Sequence, residues 1–294
     1  MFDFKTYLAA KQRTINRELD ARMPAERARP AILHKAMRYS VLSGGKRIRP
    51  ILVMAAAEAA GGNPGCALVP ALAIEVLHTY TLIHDDLPCM DDDDLRRGRP
   101  TAHKVFGEAN ALLAGDALLT LAFEWLASAA APAPYPPTAF ALELARAAGS
   151  AGVIGGQAED IAATGRKPTA SLVRYIHSRK TGLLIRAAVR MGAIAAGASG
   201  RELAAVTRYG ECLGLAFQIA DDILNETSSR ERLGKPSGSD KARGKMTWVA
   251  VHGLRAASAE TARLTKEAIE AVKVLPGNTA PLRAMAGHLA KRKW

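Results

Sequence analysis

The feature that most constrains the fold of this chain is a series of long segments in which apolar residues recur every three or four positions. One of them, ALAIEVLHTYTLI (71–83), is apolar nearly all round, as expected of a helix in the centre of a bundle. Helix-favouring alanine, leucine, glutamate and arginine are abundant, whereas β-branched alternation is almost absent. The chain is therefore predicted to be all-α, with a single domain over residues 1–294.

Glycine and proline residues interrupt this helical pattern at several points. Gly61, Gly62 and Pro64 end one segment, and the proline-rich APAPYPP (131–137) predicts a helix-free connector. The stretch LGKPSGSDKARGK (233–245) is rich in glycine, serine and lysine and predicts a mobile loop. Helices are predicted near residues 2–20, 31–42, 50–60, 66–87, 107–130, 138–163, 169–196, 201–227, 247–273 and 279–291.

Charge and composition indicate the class of protein but do not identify its ligand. The formal net charge is +12, and from residue 230 onward 14 Lys or Arg face 5 Asp or Glu. Such a basic surface is compatible with nucleic acid, a membrane face or a small polyanion. The three cysteines are widely spaced, which fits neither a disulfide framework nor a zinc site. No signal peptide and no apolar run of membrane-spanning length is evident, so we expect a cytoplasmic protein without stable membrane insertion.

The most unusual local feature is an acidic run that reverses its charge, IHDDLPCMDDDDLRRGRP (83–100). Asp85 and Asp86 end the apolar segment, and Pro88 disfavours further helix. Asp91 is therefore expected to fold back toward Asp85. An EF-hand is a poor interpretation, because a loop that started at Asp91 would have Arg96 where glycine is required.

A second acidic cluster, ADDILNE (220–226), lies on a predicted helix. Asp221 and Asn225 are four residues apart and share a face. Crowded carboxylates repel one another, and a hard cation with oxygen ligands would compensate for that repulsion. Mg²⁺ fits best, since it binds one or two carboxylates together with substrate phosphate oxygens. A ferritin-like di-metal site is not supported, because it needs Glu-x-x-His on two facing helices and the sequence contains this spacing only once, at Glu75 and His78.

Basic residues accompany both clusters. SGGKRIRP (43–50) places Lys46, Arg47 and Arg49 after two glycines, but GxxxxGK[ST] is absent, which excludes a P-loop. Further along, Lys180 and Thr181 lie in SRKTGLLIR, and Gln218 stands one turn before Asp221. Lys235 and Lys245 belong to the predicted loop. Lysine and arginine make charge-assisted hydrogen bonds to phosphate, so each group is compatible with a phosphate ligand.

Taken together, these motifs resemble the trans-prenyl diphosphate synthases over nearly the whole chain. The resemblance is carried by GGKRIRP, LIHDDLPCMDDDDLRRGRPTAH, GEANALLAGDALL, GGQAEDI, KTGLLIRAAVRMGA, FQIADDILN and LGKPSGSDKARGK. It is strongest to the bacterial farnesyl diphosphate synthases, in which four residues separate the second and last aspartates of the first motif, as between Asp86 and Asp91 here.

The resemblance implies a fold and a reaction. The fold would be a single large helical bundle of the isoprenoid synthase type, around a deep central active-site cavity, in a homodimer. The reaction would join isopentenyl diphosphate head to tail to dimethylallyl or geranyl diphosphate and give farnesyl diphosphate. Ionisation of the allylic C–O bond would be assisted by three Mg²⁺ ions, and the released diphosphate would accept the proton.

The resemblance also implies roles for individual residues. Asp85, Asp86 and Asp91 in the first motif and Asp221 and Asp222 in the second would bind Mg²⁺. Arg96, Lys180, Gln218 and Lys235 would surround the allylic diphosphate, and Thr181 and Gln218 would also face the carbocation. Lys46, Arg49, His78 and Arg97 would bind isopentenyl diphosphate without metal. The catalytic set is thus Asp85, Asp91, Arg96, Lys180, Thr181, Gln218, Asp221 and Lys235.

Product length in this family depends on the fifth and fourth residues before the first aspartate, here Tyr80 and Thr81. We expect Tyr80 to stop growth at fifteen carbons. A carbocation also needs a dry pocket, which Leu77, Leu82, Leu112, Leu113 and Phe217 are expected to supply.

One residue departs from the family pattern, and alternative functions stay open. Asn225 replaces the last aspartate of the second motif, so weaker Mg²⁺ affinity is expected. A geranylgeranyl or geranyl diphosphate synthase is the nearest alternative. Nucleic-acid binding by the basic C-terminal region is a distant one, since aromatics are only 5% of the chain and no recognisable module is present.

Overall fold

The structure, which is a computed structural model, is 74% helical over the residues that it describes. It describes residues 2–227 and 245–290, so most of the predicted loop at 233–245, including Lys235, lies outside the described residues. The first six helices are α1 (Phe4–Arg22), α2 (Ala31–Val41), α3 (Ile48–Ala59), α4 (Leu68–Asp85), α5 (Ala102–Phe106) and α6 (Glu108–Ala127). They are followed by α7 (Ala139–Ala148), α8 (Val153–Ala163), α9 (Ala170–Ile176), α10 (Leu183–Ala195), α11 (Gly200–Thr227), α12 (Trp248–Ala271) and α13 (Ala280–Ala290).

The predicted all-α class is confirmed, with three local differences. The helix expected over 138–163 is divided into α7 and α8 by a turn at 149–152. This turn requires glycine at position 152, since a Cβ there would lie 2.1 Å from the carbonyl oxygen of Ala147. The helix expected over 169–196 contains a π-helical segment, His177–Gly182, hereafter the π segment. A short hairpin, which the helical periodicity does not predict, pairs β1 (Leu95–Arg96) with β2 (Arg99–Pro100).

The hairpin has a local cause. Its two-residue loop is Arg97-Gly98, and both residues have positive φ, 54° and 75°. A two-residue loop of this kind matches the twist of paired strands, and glycine adopts the second position without strain. The hairpin therefore returns the basic residues after the acidic run toward the end of α4.

The interior is organised around α4, which packs against α1, α2, α3, α6 and α10. Residues 70–77 of α4 are all buried. The prediction that ALAIEVLHTYTLI is a central helix is therefore confirmed. Burial on every side also explains why α4 has no polar face.

Two described helical stretches are long and apolar enough to cross a membrane by length and composition alone. In Pro64–Asp85 the most apolar window is 67% buried, as in the core helix of a globular protein. In α6 it is only 39% buried, and Leu112 and Leu113 are exposed. The core accounts for the hydropathy of α4, whereas α6 presents an apolar face to the outside.

Candidate active site

The first acidic run turns back on itself directly after α4. The helix ends at Asp85, and Pro88 cannot supply the backbone N–H that another turn would need. The N–H of Asp91 donates to the carbonyl oxygen of Asp85 over 2.9 Å. The predicted fold-back is therefore confirmed, and Asp85 and Asp91 are neighbours at the C-terminal end of α4.

Asp85 lies where its negative charge is disfavoured. Burial, reinforced by the charge of Asp91, raises the pKa of Asp85 to about 6, although Lys180 and Lys245 act in the opposite direction. The ammonium group of Lys245 lies 3.2 Å from Oδ1 of Asp91. Two close carboxylates with incomplete compensation form a site at which a bound cation would be stabilising.

The donor chemistry of this site fits Mg²⁺. Asp85 and Asp91 offer hard carboxylate oxygens, but among residues 2–227 and 245–290 no three His, Cys, Asp or Glu side chains form a group able to hold a metal. Mg²⁺ commonly binds through one or two carboxylates and completes its shell with water and substrate phosphate oxygens. The described residues therefore fit an ion that binds together with a phosphate substrate.

Asp86 forms a close ion pair with an arginine of the hairpin. Nε of Arg96 donates to both carboxylate oxygens of Asp86, over 2.7 and 2.8 Å, and Nη2 lies 2.6 Å from Oδ1. Asp93 lies 3.6 Å from the same guanidinium. The buried Asp86 thus attaches the hairpin to α4. Its predicted role as a metal ligand stays a prediction.

The π segment supplies the opposite wall. Nζ of Lys180 lies 2.7 Å from Oδ2 of Asp160 on α8. Thr181 donates its hydroxyl hydrogen to Oε1 of Gln218 on α11 over 2.8 Å. Burial lowers the pKa of Lys180, but Asp160 and Asp85 outweigh burial and raise it overall, so Lys180 remains a cation. π-Helical turns are frequent at functional sites, and this one brings two predicted site residues to one wall.

The two aspartates of the second motif have different surroundings. Asp221 is exposed on α11, one turn after Gln218. Asp222 is buried and accepts a hydrogen bond from the backbone N–H of Trp248 over 2.6 Å. Nε2 of His177 lies 3.4 Å from the same carboxylate oxygen. Asp222 therefore fixes the start of α12 against α11, and its role as a metal ligand stays a prediction.

A deep cavity of about 1060 Å³, including its mouth, extends along α4 between the two walls. Seven predicted site residues line it: Arg49, His78, Tyr80, Thr81, Asp85, Lys180 and Thr181. Val153, Ile154 and Ile161 of α8 provide apolar lining. A polar mouth above an apolar interior is suited to a ligand with a charged head and a hydrocarbon tail.

A second, basic cavity adjoins the deep cavity. Lys46, Arg49, His78, Arg96 and Arg97 line it, and Arg49, His78 and Leu82 also line the deep cavity. Burial and the neighbouring Arg49 and Arg97 hold the pKa of His78 well below its usual value. His78 is therefore neutral at physiological pH and can contribute a hydrogen bond, but not a positive charge, to an anion here.

Three of the residues expected to form the dry pocket lie elsewhere. Leu77 is fully buried in the core, and neither cavity includes Leu77, Leu112 or Leu113 in its lining. Leu112 and Leu113 are 45% and 53% exposed, since they belong to the outer face of α6. The expectation for these residues was wrong, whereas Leu82 and Phe217 line the cavities as expected.

Two acidic residues near the cavities were not singled out from the sequence. Asp160 binds Lys180, and Glu75 lies 2.7 Å from Arg47 in an ion pair whose side chains are 2% and 1% exposed. Arg47 and Glu75 both line the basic cavity. Asp160 lies in GGQAEDI and Glu75 in the apolar segment of α4, where a lone acid is itself a signal of a buried partner.

The all-α fold, with its two adjoining cavities, is that of the isoprenoid synthases. The polyprenyl synthetase family profile matches residues 30–276. The chain is 44% identical over 295 residues to geranylgeranyl pyrophosphate synthase 4 of Arabidopsis thaliana, an alignment that covers 99% of this chain and 78% of that protein.

Solved structures agree with this assignment. A geranylgeranyl pyrophosphate synthetase from Pyrococcus horikoshii superposes with a TM-score of 0.89 at 30% identity and covers 99% of both chains. An FPP/GFPP synthase from Zymomonas mobilis superposes with a TM-score of 0.82 at 35% identity and covers 96% of this chain and 97% of that one. The chain belongs to the polyprenyl synthetase family, whose members are head-to-tail prenyltransferases.

Proposed function

We propose that this prenyltransferase condenses isopentenyl diphosphate with dimethylallyl and then geranyl diphosphate to give farnesyl diphosphate. The observation that supports this product is the position of Tyr80, which is 5% exposed and lines the deep cavity below Asp85. Five residues of α-helix correspond to a rise of about 7.5 Å. An aromatic ring at this depth limits the length of chain that the cavity accepts.

Each of the two cavities binds a different substrate. The allylic diphosphate binds at the mouth of the deep cavity beside Lys180, with its tail along the apolar residues of α8. Isopentenyl diphosphate binds in the basic cavity, where Lys46, Arg49 and Arg97 supply positive charge. Because the two cavities share Arg49, His78 and Leu82, the reacting carbon atoms of the substrates can meet at their junction.

Asp85 and Asp91 would hold Mg²⁺, with Asp221 of the second motif as a further ligand and three ions in all. When bound, Mg²⁺ neutralises the charge that develops on the leaving diphosphate. Lys180 contacts the same diphosphate directly, and Thr181 and Gln218 face the carbocation with oxygen atoms held by their mutual hydrogen bond. The apolar residues that line the deep cavity would keep water away from the cation, which water would otherwise trap as an alcohol.

A geranylgeranyl diphosphate synthase is the second candidate, favoured by the relatives from Arabidopsis and Pyrococcus. One incubation with isopentenyl and dimethylallyl diphosphates, with and without Mg²⁺, tests activity, metal requirement and product length together. The proposal expects a fifteen-carbon product that requires Mg²⁺. A twenty-carbon main product would support the second candidate, and no condensation at all would refute both.

Replacement of Tyr80 by alanine is expected to lengthen the product to twenty carbons or more, because it removes the ring from the floor of the deep cavity. Chromatography of the dephosphorylated prenols measures the change. Tyr175→Ala, at a residue outside both cavities, is the matched control and should leave product length unaltered. A product that stayed at fifteen carbons in Tyr80→Ala would show that the floor lies elsewhere.

Gly115→Ala is expected to shorten the product and destabilise the protein. A Cβ at Gly115 would lie 2.1 Å from Nε2 of His84, whose ring also contacts Tyr80 edge-to-face at 5.5 Å. His84 lines the deep cavity, so a displaced ring would narrow it. Overpacking costs about 1–3 kcal/mol. Product analysis and urea denaturation measure the two effects.

The matched control for this change is Gly287→Ala on α13. A Cβ there would meet no heavy atom within 4 Å. This variant should keep the parent product, and its stability should be equal or slightly higher because alanine favours helix by about 1 kcal/mol. Equal stability in the Gly115 and Gly287 variants would contradict the proposed contact with His84.

A homodimer is supported by apolar surface beside the deep cavity. Leu112 and Leu113 of α6 are exposed, and Ile154 and Ile161 of α8 are 48% and 52% exposed although they line the cavity. A second copy over α6 and α8 would cover these residues and close that wall. Light scattering should give twice the mass of one chain, whereas a monomer at micromolar concentration would contradict the proposal.

Nucleic-acid binding is no part of the proposed function, and the cytoplasmic location expected from the sequence stays a prediction.

A further inference from the structure

A third cavity, of about 840 Å³ including its mouth, lies where the π segment, α10, α11 and α12 meet, and we call it the back cavity. It shares no lining residue with the deep or the basic cavity. Five arginines line it: Arg174, Arg179, Arg186, Arg208 and Arg263. Glu211 is the acidic residue in the same lining. Five guanidinium groups around one cavity repel one another unless nearby anionic groups neutralise their charge.

Neighbouring glutamates neutralise only part of this charge. Glu267 pairs with Arg208 and Arg263, and Glu260 pairs with Arg263 at 2.8 Å and lies 3.9 Å from Arg174. With Glu211, three carboxylates therefore face five guanidinium groups. The back cavity retains a positive excess.

The less exposed part of the excess lies at Arg179 and Arg186, since Arg174, which is 3.9 Å from Glu260, is 58% exposed. Within the described part of the chain, Arg179 has no carboxylate within 4 Å, and its guanidinium lies 5.0 Å from the ring centre of Tyr175. Arg186 approaches the half-exposed Glu211 only at 3.6 Å. The Nε atoms of both arginines are buried and have no hydrogen-bond partner among the described residues. Two buried donors beside a positively charged hollow would be satisfied by an oxyanion.

The floor of the back cavity is apolar, since Leu183, Leu215 and Leu264 line it and are nearly fully buried. The π segment joins this cavity to the active site. Arg179 and Gly182 line the back cavity, whereas Lys180 and Thr181, between them in sequence, line the deep cavity. A ligand in the back cavity would thus contact the same six-residue segment that positions Lys180.

We propose that the back cavity is a second anion site, which takes a diphosphate group through Arg179 and Arg186. The group can belong to free inorganic diphosphate or to the head of a prenyl diphosphate, whose first carbons would lie on the leucine floor. Forked guanidinium donors suit phosphate oxygens better than a point charge does. The proposal concerns binding alone and does not require the active site to catalyse condensation.

The test is isothermal titration of the full chain with inorganic diphosphate in EDTA, without Mg²⁺. Arg179→Gln/Arg186→Gln is expected to weaken binding at one site at least tenfold. The matched control Arg166→Gln/Arg201→Gln, at two exposed arginines away from the cavities, should retain it. Lys46→Gln/Arg49→Gln in the basic cavity should also retain it, which separates this site from the proposed substrate site.

A second titration distinguishes whether the bound diphosphate group belongs to a prenyl diphosphate or to free inorganic diphosphate. Farnesyl diphosphate titrated in EDTA should bind the back cavity more tightly than inorganic diphosphate if the leucine floor contacts its chain, and equally if the free anion is the ligand. Should the double glutamine variant fail to fold, Arg179→Lys/Arg186→Lys retains the charge and should still weaken binding at least threefold. Equal binding by the parent and the folded back-cavity variants, or an equal loss in the control, would overturn the proposal.

Discussion

Asp85→Asn is expected to lower turnover by about 100- to 1000-fold and, at the same time, to stabilise the ligand-free protein at neutral pH. The loss of activity follows because an amide cannot replace the carboxylate that supports charge neutralisation of the leaving diphosphate; removal of one such group costs roughly 10²–10³. The gain in stability follows from the environment of Asp85, where burial raises its pKa to about 6.

The direction of the pH dependence is fixed by this shift. Because the pKa of Asp85 in the folded protein lies above its ordinary value of 3.8, protonated Asp85 favours the folded state. That contribution is fully present below pH 3.8 and is lost as the pH rises through about 6. The asparagine variant should therefore nearly match the parent at pH 4 and exceed it by about 3 kcal/mol at pH 7.5, since the shift from 3.8 to about 6 corresponds to about 1.4 kcal/mol per pKa unit.

Urea denaturation in EDTA at pH 4, 5, 6 and 7.5 measures this difference. Glu159→Gln, at an exposed acid on α8, is the matched control and should show no comparable gain. If Asp85→Asn were less stable than the parent at pH 7.5, the carboxylate would be stabilised by Lys180 and Lys245 more than it is destabilised by burial. A variant with full activity would refute the assignment of Asp85.

Glu75→Leu is expected to destabilise the protein by about 3–5 kcal/mol, because it leaves the buried guanidinium of Arg47 without its counter-charge. Arg47 also donates to Oδ1 of Asn16 over 2.9 Å and to the carbonyl oxygen of Val41 over 2.7 Å. These acceptors cannot replace the lost carboxylate. The loss should appear in the free energy of unfolding at neutral pH.

The double variant Arg47→Met/Glu75→Leu provides the decisive comparison. A buried ion pair replaced by apolar residues of similar size is often nearly neutral in stability, so the double variant should recover most of the loss. The exposed pair between Glu260 and Arg263 is the control, and Glu260→Leu should have a much smaller effect. A double variant as unstable as Glu75→Leu would show that packing, rather than charge, determines the cost.

Local sequence rules predicted much of the molecule. Helical periodicity identified the all-α class, and the apolar circumference of 71–83 placed that helix in the core. Pro88 and the spacing of Asp85 and Asp91 predicted the fold-back, because a chain of six residues has few ways to turn. Lys46, Arg49, His78 and Arg97 were grouped by family resemblance, and they line one cavity.

Other features depended on contacts between distant parts of the chain. Leu112 and Leu113 have the composition of pocket residues, but the packing of α6 leaves them exposed. The helical pattern of 169–196 does not reveal that six of its residues form a π turn. That turn separates Arg179, in the back cavity, from Lys180, in the deep cavity.

The sequence by itself determined which segments are helical, which helix is central and where negative charge collects, since these depend on residue type and short spacing. Only the tertiary structure decided the partners of that charge: Asp86 with Arg96, Asp160 with Lys180, and Glu75 with Arg47. The physical reason is that an ion pair forms between side chains that packing brings within about 4 Å. Side chains 10 to 28 residues apart meet only after the helices have packed.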